Sequence, residues 1–152
     1  STRIIEVDKG EGRQLQLRLT TKGHPFFTKL RDRIYIDKYK SLDQHALKML
    51  DYEALSFLYM SDGSLGLRNG KVGSVTLNMK RLSYGDQMLL KKALKDKLDL
   101  EWNINKHGKY FYLRLRNKDV SKFMENIKPY ITPSFMYKIL DEVPSENNEV
   151  VI

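Results

Sequence analysis

Asp62 closes the short apolar run Leu55 to Gly63, LSFLYMSDG, and is the side chain whose setting most invites chemistry. Asp51 is a good N-cap that opens a helix at Tyr52, and Gly63 suits the left-handed position that closes one. The acid therefore falls on the last helical turn. There the negative end of the helix dipole repels a carboxylate, unless a cation or another partner neutralises it. A local rule broken inside a well-formed element marks a place to look for function. The other chemistry-bearing types are sparse. His24, His45 and His107 share no metal-ligand spacing and read as scattered surface side chains. The chain has no cysteine, which excludes a disulfide framework, a zinc finger and a thiol nucleophile.

The charge balance points to the kind of partner. Lys and Arg number 27 against 19 Asp and Glu, a net charge of +8. Residues 141–152, DEVPSENNEVVI, hold four acids and no base, so residues 1–140 set all 27 bases against 15 acids, a body at +12. A basic body with an acidic tail suits a polyanion, most often nucleic acid. No long apolar run or signal-like N-terminus is present, so a soluble intracellular protein is expected, in cytoplasm, nucleoid or organelle matrix.

The elements that would hold Asp62 are short and well marked. Arg3–Val7 and Arg13–Thr21 flank Asp8-Lys9-Gly10-Glu11-Gly12, a hairpin turn. Along the second run Leu15, Leu17 and Leu19 alternate with Gln14, Gln16, Arg18 and Thr20, the pattern of a half-buried strand. From Pro25 to about Tyr35 the spacing of Phe26, Phe27, Leu30 and Ile34 predicts a helix packed on that hairpin, with Pro25 in its first turn. A connector with one short helix around Asp43 to Met49 follows.

After the Tyr52 helix, Leu65–Arg68 and Lys71–Lys80 flank Asn69-Gly70, a tight hairpin with Arg68 and Lys71 at its tip. Val75, Leu77 and Met79 face inward; Ser74, Thr76, Asn78 and Lys80 face outward. Ser83 with Asp86 starts a helix whose stripe is Met88, Leu89, Ala93 and Leu94, ending near Lys97. Leu98, Leu100, Trp102 and Ile104 then alternate with Asp99, Glu101, Asn103 and Asn105. After the turn at His107-Gly108, Lys109–Arg116 returns with Phe111, Leu113 and Leu115 inside and Tyr110, Tyr112, Arg114 and Arg116 outside. A last helix, about Lys118 to Ile127, buries Val120, Phe123, Met124 and Ile127 and stops at Pro129.

The order helix, hairpin, helix, hairpin, helix implies an α+β fold, with helices on one face of a four-stranded antiparallel sheet. The other face is then polar. A curved two-stranded ribbon fits the B-DNA major groove, where Gln, Asn, Thr and Arg reach base edges while Lys and Arg at the margins hold phosphates. Glu101 on that face either accepts from a cytosine amino group or pairs with Arg114, and the cross-strand pair is favoured.

The segment LSFLYMSDG resembles the LAGLIDADG motif of homing endonucleases, in the variant with an aromatic residue inside the run and an M-x-D-G ending. The resemblance extends to the element order and to IKPYITPSFMYKIL, Ile127 to Leu140, which looks like that family's C-terminal signature. It implies a curved antiparallel sheet saddle with helices on one face. It also implies two motif helices packed together, each delivering its acid to a metal at the scissile phosphates. Asp62 would then be the metal ligand, with the Gly63 carbonyl region completing the bend around the ion. Lys138 would approach the active site to stabilise phosphorane charge or help activate water. VTLNMKRLSYGD, Val75 to Asp86, is similar to the family's strand and helix start, where Met79 and Lys80 stand in place of the usual Thr and Gln; Lys80 would hold a water or a phosphate.

On this reading residues 1–51 are an N-terminal hairpin, helix and connector, 52–140 the αββαββα core and 141–152 an acidic tail. The first 51 residues resemble what precedes the second motif of two-motif members, so a second chain must bring the other acid. A homodimer through Leu55, Ser56, Leu58 and Tyr59 is favoured over a split enzyme, because closed symmetric dimers are the commoner oligomers. The expected activity is sequence-specific cleavage of both strands of double-stranded DNA with Mg2+, with Mn2+ or Ca2+ able to replace it in binding, in the service of intron or intein mobility. The expected DNA contacts are Gln14, Gln16, Arg18, Thr20, Arg68, Lys71, Thr76, Asn78, Lys80, Asn103, Tyr110, Tyr112, Arg114 and Arg116. A non-cleaving DNA-binding regulator and an RNA-binding intron maturase are the alternatives on the same scaffold.

Overall fold

The computed structural model describes residues 2–8, 13–19, 22–36, 39–68 and 71–139. The chain forms two compact units, Ser1–Arg33 and a larger one from Ile34 onward. In the first, β1 (Thr2–Asp8) pairs antiparallel with β2 (Arg13–Leu19), Ile4 opposite Leu17 and Glu6 opposite Leu15. That is the expected hairpin; its glycine turn and Thr20 lie outside the described residues. Helix α1 (Pro25–Ile34) follows. Its first turn is closed by His24, whose carbonyl accepts from Phe27 N at 3.0 Å and whose Nδ1 accepts from Phe26 N at 3.1 Å. None of the α1 residues is buried, and Phe26, Phe27 and Leu30 are 58%, 47% and 40% exposed. The expected packing on the hairpin falls on side chains outside the described residues.

The second unit opens with a small ladder, β3 (Tyr35–Ile36) on β4 (Tyr39–Lys40), and the single-turn helix α2 (Gln44–Lys48). The connector falls within the larger unit. Leu50 is buried, Leu42 and Leu47 pack on the core, and Leu42 N donates to Asp86 Oδ1 at 3.1 Å.

The core runs α3 (Tyr52–Asp62), β5 (Gly63–Arg68), β6 (Lys71–Leu77), α4 (Tyr84–Leu98), β7 (Trp102–His107), β8 (Tyr110–Leu115) and α5 (Val120–Ile127). The four strands form one antiparallel sheet in the order β5-β6-β8-β7, the α+β architecture expected. The Asn69-Gly70 turn lies outside the described residues, but Arg68 pairs with Lys71 across the hairpin end. Val75, Leu77, Trp102, Leu113 and Leu115 are buried on the helix side with Leu55, Tyr59, Leu94, Phe123 and Ile127. The α5 stripe is the one read from the sequence.

Helix α4 keeps Leu94 and Ala93 of the expected stripe on the core, but its other buried positions are Gln87, Leu90 and Leu98, whereas Met88 and Leu89 are each 42% exposed. The inward stripe is spaced i, i+3, i+7, i+11 and contains a glutamine, so apolarity alone misplaced its first turns. The helix also runs on through Leu98, where a strand was expected. Asp99 then takes the left-handed conformation at φ 52, its N–H bonded to the Leu94 and Lys95 carbonyls and its carboxylate held by Lys95 at 2.5 Å and Lys122 at 3.2 Å.

Candidate active site

Helix α3 keeps the limits its caps dictate, with the Asp51 carboxylate accepting from Ala54 N at 2.8 Å. It packs its inner face on α5, where the Tyr59 and Phe123 rings meet edge to face at 5.1 Å. Leu55, Ser56 and Tyr59, expected on an interface with a second chain, are fully buried inside this chain's own core. The Ser56 hydroxyl turns back to donate to the Glu53 carbonyl at 2.6 Å. Leu58 is half-buried, and the outward face is Glu53, Ala54, Phe57 and Ser61, with Phe57 60% exposed.

At the helix end Gly63 sits at φ −82, ψ 152, an extended conformation open to any residue. The left-handed cap expected here is absent, and the glycine serves packing instead. A Cβ at position 63 would lie 2.1 Å from Tyr59 Cδ2 and 2.4 Å from the Tyr59 carbonyl oxygen. With no side chain in the way, α3 passes straight into β5, and Asn78 N donates to the Asp62 carbonyl at 2.8 Å, tying the helix tip to the end of β6.

Asp62 is exposed and accepts from Ser61 Oγ at 3.2 Å. Its carboxylate opens on a cleft of about 440 Å³ lined by Lys40, Asn78, Met79, Lys80, Arg81 and Leu82. Three basic side chains therefore surround one acid. Lys80, expected near Asp62, is in this cleft; Lys40 and Arg81 were not singled out, although Arg81 follows Lys80 as a basic pair after an apolar strand. The turn carrying them is pinned by Gln87, also missed. Its buried Nε2 donates to the carbonyls of Phe111 at 3.0 Å, Met79 at 3.3 Å and Leu82 at 3.4 Å. Its signal was available: a lone amide in register with Leu90, Leu94 and Leu98. A smaller cavity of about 230 Å³ adjoins, shared by Asn78 and Lys80 and walled by His107, Tyr110, Phe111 and Tyr112.

Lys138 does not line that cleft; it binds backbone on either side of Asp62. It ends the 3-10 segment Pro133–Lys138, and its ammonium donates to the carbonyls of Met60 at 2.6 Å, Gly63 at 2.9 Å and Tyr59 at 3.4 Å. The Gly63 carbonyl, expected toward a metal, is thus engaged by a lysine. In return the Tyr59 hydroxyl donates to the Lys138 carbonyl at 2.9 Å. Burial pushes that phenol above its usual range, so it stays a proton donor.

The sheet face away from the helices carries a polar row across all four strands. Ser64 pairs with Thr76, Thr76 with Arg114, and Arg114 with Asn103. Ser64 Oγ and Thr76 Oγ1 are 3.0 Å apart, and Arg114 Nη2 donates to the Gly73 carbonyl at 3.1 Å. Tyr112 stands opposite Asn105, and Tyr110 lies under Lys80 and Lys109 at 5.8 and 5.3 Å. The favoured pair between Glu101 and Arg114 is not formed. Glu101 instead binds Arg116 at 2.5 Å and Lys95 and Lys118 at 3.1 Å each. Arg116 is therefore spoken for at the sheet end. Arg68 and Lys71 are the last paired residues of the β5–β6 hairpin, while Gln14, Gln16 and Arg18 belong to β2 of the other unit.

Among the described residues no group of three His, Cys, Asp or Glu side chains could hold a metal, and no helix is long and apolar enough to cross a membrane. Mg2+, however, keeps several waters and takes one or two carboxylates beside substrate phosphates. A lone exposed carboxylate in a basic cleft fits half of such a shared site.

Residues 1–123 match the family model described as the LAGLIDADG DNA endonuclease family. An uncharacterized protein of Methanocaldococcus jannaschii is 30% identical over 123 residues, 80% of this chain and 47% of that protein. A probable intron-encoded DNA endonuclease of Mycosarcoma maydis is 30% identical over 93 residues, 61% of this chain and 66% of that one. The RecA protein of Mycolicibacterium flavescens is 30% identical over 127 residues, 76% of this chain but 30% of its own length. The fold matches that of the homing endonuclease I-WcaI bound to its DNA recognition sequence, with a TM-score of 0.78 at 22% identity over 94% of this chain and 65% of that one. The chain thus spans less than two thirds of each of these relatives.

Proposed function

The chain belongs to the LAGLIDADG DNA endonuclease family, and from that premise we propose that it hydrolyses phosphodiester bonds in both strands of a specific DNA duplex, using a divalent metal such as Mg2+ and a site completed by a second chain. One observation carries this reading: Asp62 stands exposed at the tip of a rigid helix in a cleft whose other charged walls are Lys40, Lys80 and Arg81. Free in solution, such an acid only weakens a basic surface's grip on phosphate. Its presence makes sense where a metal is gripped against the backbone.

In this assignment Asp62 holds the ion together with the second chain's acid and substrate phosphate oxygens. When bound, the ion supplies a lowered pKa for the attacking water and neutralises charge on the phosphoryl oxygens. Lys40, Lys80 and Arg81 hold and orient the phosphates. The polar row Ser64, Thr76, Arg114 and Asn103, with Asn78, Asn105 and Tyr112, faces the base edges of the major groove. The second chain docks on the outward face of α3 around Phe57, not on Leu55, Ser56 and Tyr59. A second copy, bringing its own Asp62, is the simplest donor; a split partner carrying the other motif helix is the rival.

The purified chain, incubated with Mg2+ and a plasmid library of randomised inserts, should select a cleavable site. Asp62→Asn should bind that site as before and cut it at least 100-fold more slowly, on the order of the loss from removing a metal-held transition-state contact. Equal cutting by Asp62→Asn would remove the acid from the reaction. Binding without cutting by both proteins would make the chain a regulator, and tighter binding to folded RNA at matched salt would make it an RNA-binding protein.

A further inference from the structure

We propose that Asp86 is a positioning residue: its carboxylate ties the connector ahead of α3 to the start of α4, and so sets Lys40 in the cleft with Asp62. The proposal rests on the endonuclease reading for its catalytic consequence. Lys40 and Asp62 reach that cleft from different places. Asp62 comes on a helix packed into the core, whereas Lys40 comes as an exposed side chain on the two-residue strand β4. A ladder of two residue pairs, Tyr35 with Lys40 and Ile36 with Tyr39, is too small to hold a lysine in place by itself.

What holds it comes from α4. Ser83 Oγ caps that helix by accepting from Asp86 N at 3.0 Å, and in return donates to one oxygen of the Asp86 carboxylate at 2.7 Å. The acid of an ordinary capping box turns back to its own N-cap residue and no further. The second Asp86 oxygen instead accepts from Leu42 N at 3.1 Å, 44 positions earlier in the chain. Leu42 lies only two residues past Lys40, at most about 7 Å of chain, so fixing the one limits the other. Between them Ser41 N donates to the Ile34 carbonyl at 2.7 Å, closing the loop around the ladder.

The far end of α4 makes a second tie. Lys97, about three turns on and so on the same face as Asp86, donates to the carbonyls of Leu47, at 3.5 Å, and of Lys48, the last residues of α2. An anion at one end of α4 thus takes an N–H of the connector, and a cation at the other end takes its carbonyls. Leu42 and Leu47 pack on the core between the two ties. The connector is splinted along α4, and Asp86 is the tie next to Lys40. Asp86 does not line the cleft itself, so it acts on substrate through Lys40.

Three variants test this. Asp86→Ala and Asp86→Asn remove the same charge, but only the asparagine keeps an oxygen for Leu42 N; Ser83→Ala removes the helix cap and leaves the tie. In Asp86→Ala, backbone order parameters at residues 40–42 should fall from about 0.85 to about 0.6 or less, while Asp86→Asn and Ser83→Ala keep them. In duplex binding, Lys40→Ala should lower the slope of log K against log salt by about 1 in the parent and in Asp86→Asn, and by less than about half of that in Asp86→Ala. On the site selected from the plasmid library, Asp86→Ala should cut about tenfold or more slowly, the scale of one lost hydrogen bond to a charged group, with Asp86→Asn and Ser83→Ala near the parent. Adding Asp86→Ala to Lys40→Ala should slow cutting little further.

Unchanged order at residues 40–42 in Asp86→Ala would overturn the proposal, as would equal effects of Lys40→Ala on the salt slope with and without the tie. So would slow cutting shared by Ser83→Ala, since that marks plain loss of helix stability. A parent chain that cuts no site, or binds no duplex, while Asp86→Ala still loosens residues 40–42 and Asp86→Asn does not, would sink the endonuclease reading and leave the tie standing.

Discussion

Gly63→Ala isolates the contact that sets the tip of α3. At φ −82 the backbone itself accepts alanine, and a loss of unfolded-state entropy would even favour it by about 0.4–1 kcal/mol. The obstacle is the Tyr59 ring, 2.1 Å from where the new Cβ must go, together with the Tyr59 carbonyl oxygen at 2.4 Å. The ring is fully buried against Phe123 and its hydroxyl is bonded to the Lys138 carbonyl, so it cannot swing aside freely. Overpacking of this kind costs about 1–3 kcal/mol and loss of the hydroxyl bond about 1 kcal/mol more. Net of that gain, a cost of about 1–3.5 kcal/mol corresponds to a fall in Tm of about 4–14 °C for a unit of this size.

A double-mutant cycle with Tyr59→Leu, followed by urea unfolding, separates ring from backbone. The carbonyl contact survives in both backgrounds, whereas the ring contact is gone in Tyr59→Leu. Gly63→Ala should therefore cost about 1–2 kcal/mol less in the Tyr59→Leu background than in the parent. Costs that add within about 0.5 kcal/mol would refute the reasoning and leave the Tyr59 carbonyl alone as the obstacle.

Gln87→Leu should lower stability to urea by about 1–3 kcal/mol, because it removes the amide donations to the Met79, Leu82 and Phe111 carbonyls, of which the first keeps Leu82 N; Gln87→Glu, which keeps the shape but not the donor, should be no better. In duplex binding, Lys80→Ala and Arg81→Ala should each lower the slope of log K against log salt by about 1 if each holds one phosphate, which a titration from low to moderate salt reads directly. The Glu101 carboxyl is held below its usual range by Lys95 and then Lys118, and the Asp99 carboxyl by Lys95 and then Lys122. Because both folded-state values are depressed, their contribution is present above the ordinary carboxylate range and is lost as pH falls through the folded values. Glu101→Gln should accordingly flatten the acid limb of Tm against pH below about pH 5, an effect that salt should erase from both proteins.

What could be read in advance was whatever depends on neighbours in the chain. The Asp51 cap fixed the start of α3, the alternation in β6, β7 and β8 fixed which residues face the helices, and the α5 stripe named its own buried set. What failed depends on partners far along the chain. Gly63 read as a left-handed cap because sequence shows a missing side chain but not the ring 2.1 Å from its place. Leu55, Ser56 and Tyr59 stand on a pairing interface in the family resemblance, whereas packing on α5 and the sheet puts them inside this chain's own core.

Lys138 shows the limit most clearly. The resemblance puts it near the active site, and in the structure its ammonium binds the Met60 carbonyl at the end of the motif helix, 78 positions away in sequence. Whether its ammonium turns to the Asp62 carboxylate or to backbone is a choice between two negative targets at one helix end. Charge alone does not choose between them. The helix end offers three fixed carbonyls in a half-buried setting, where each bond is stronger than one to a mobile exposed carboxylate, so the backbone wins. That outcome leaves Asp62 with its oxygens in the cleft beside Lys40, Lys80 and Arg81.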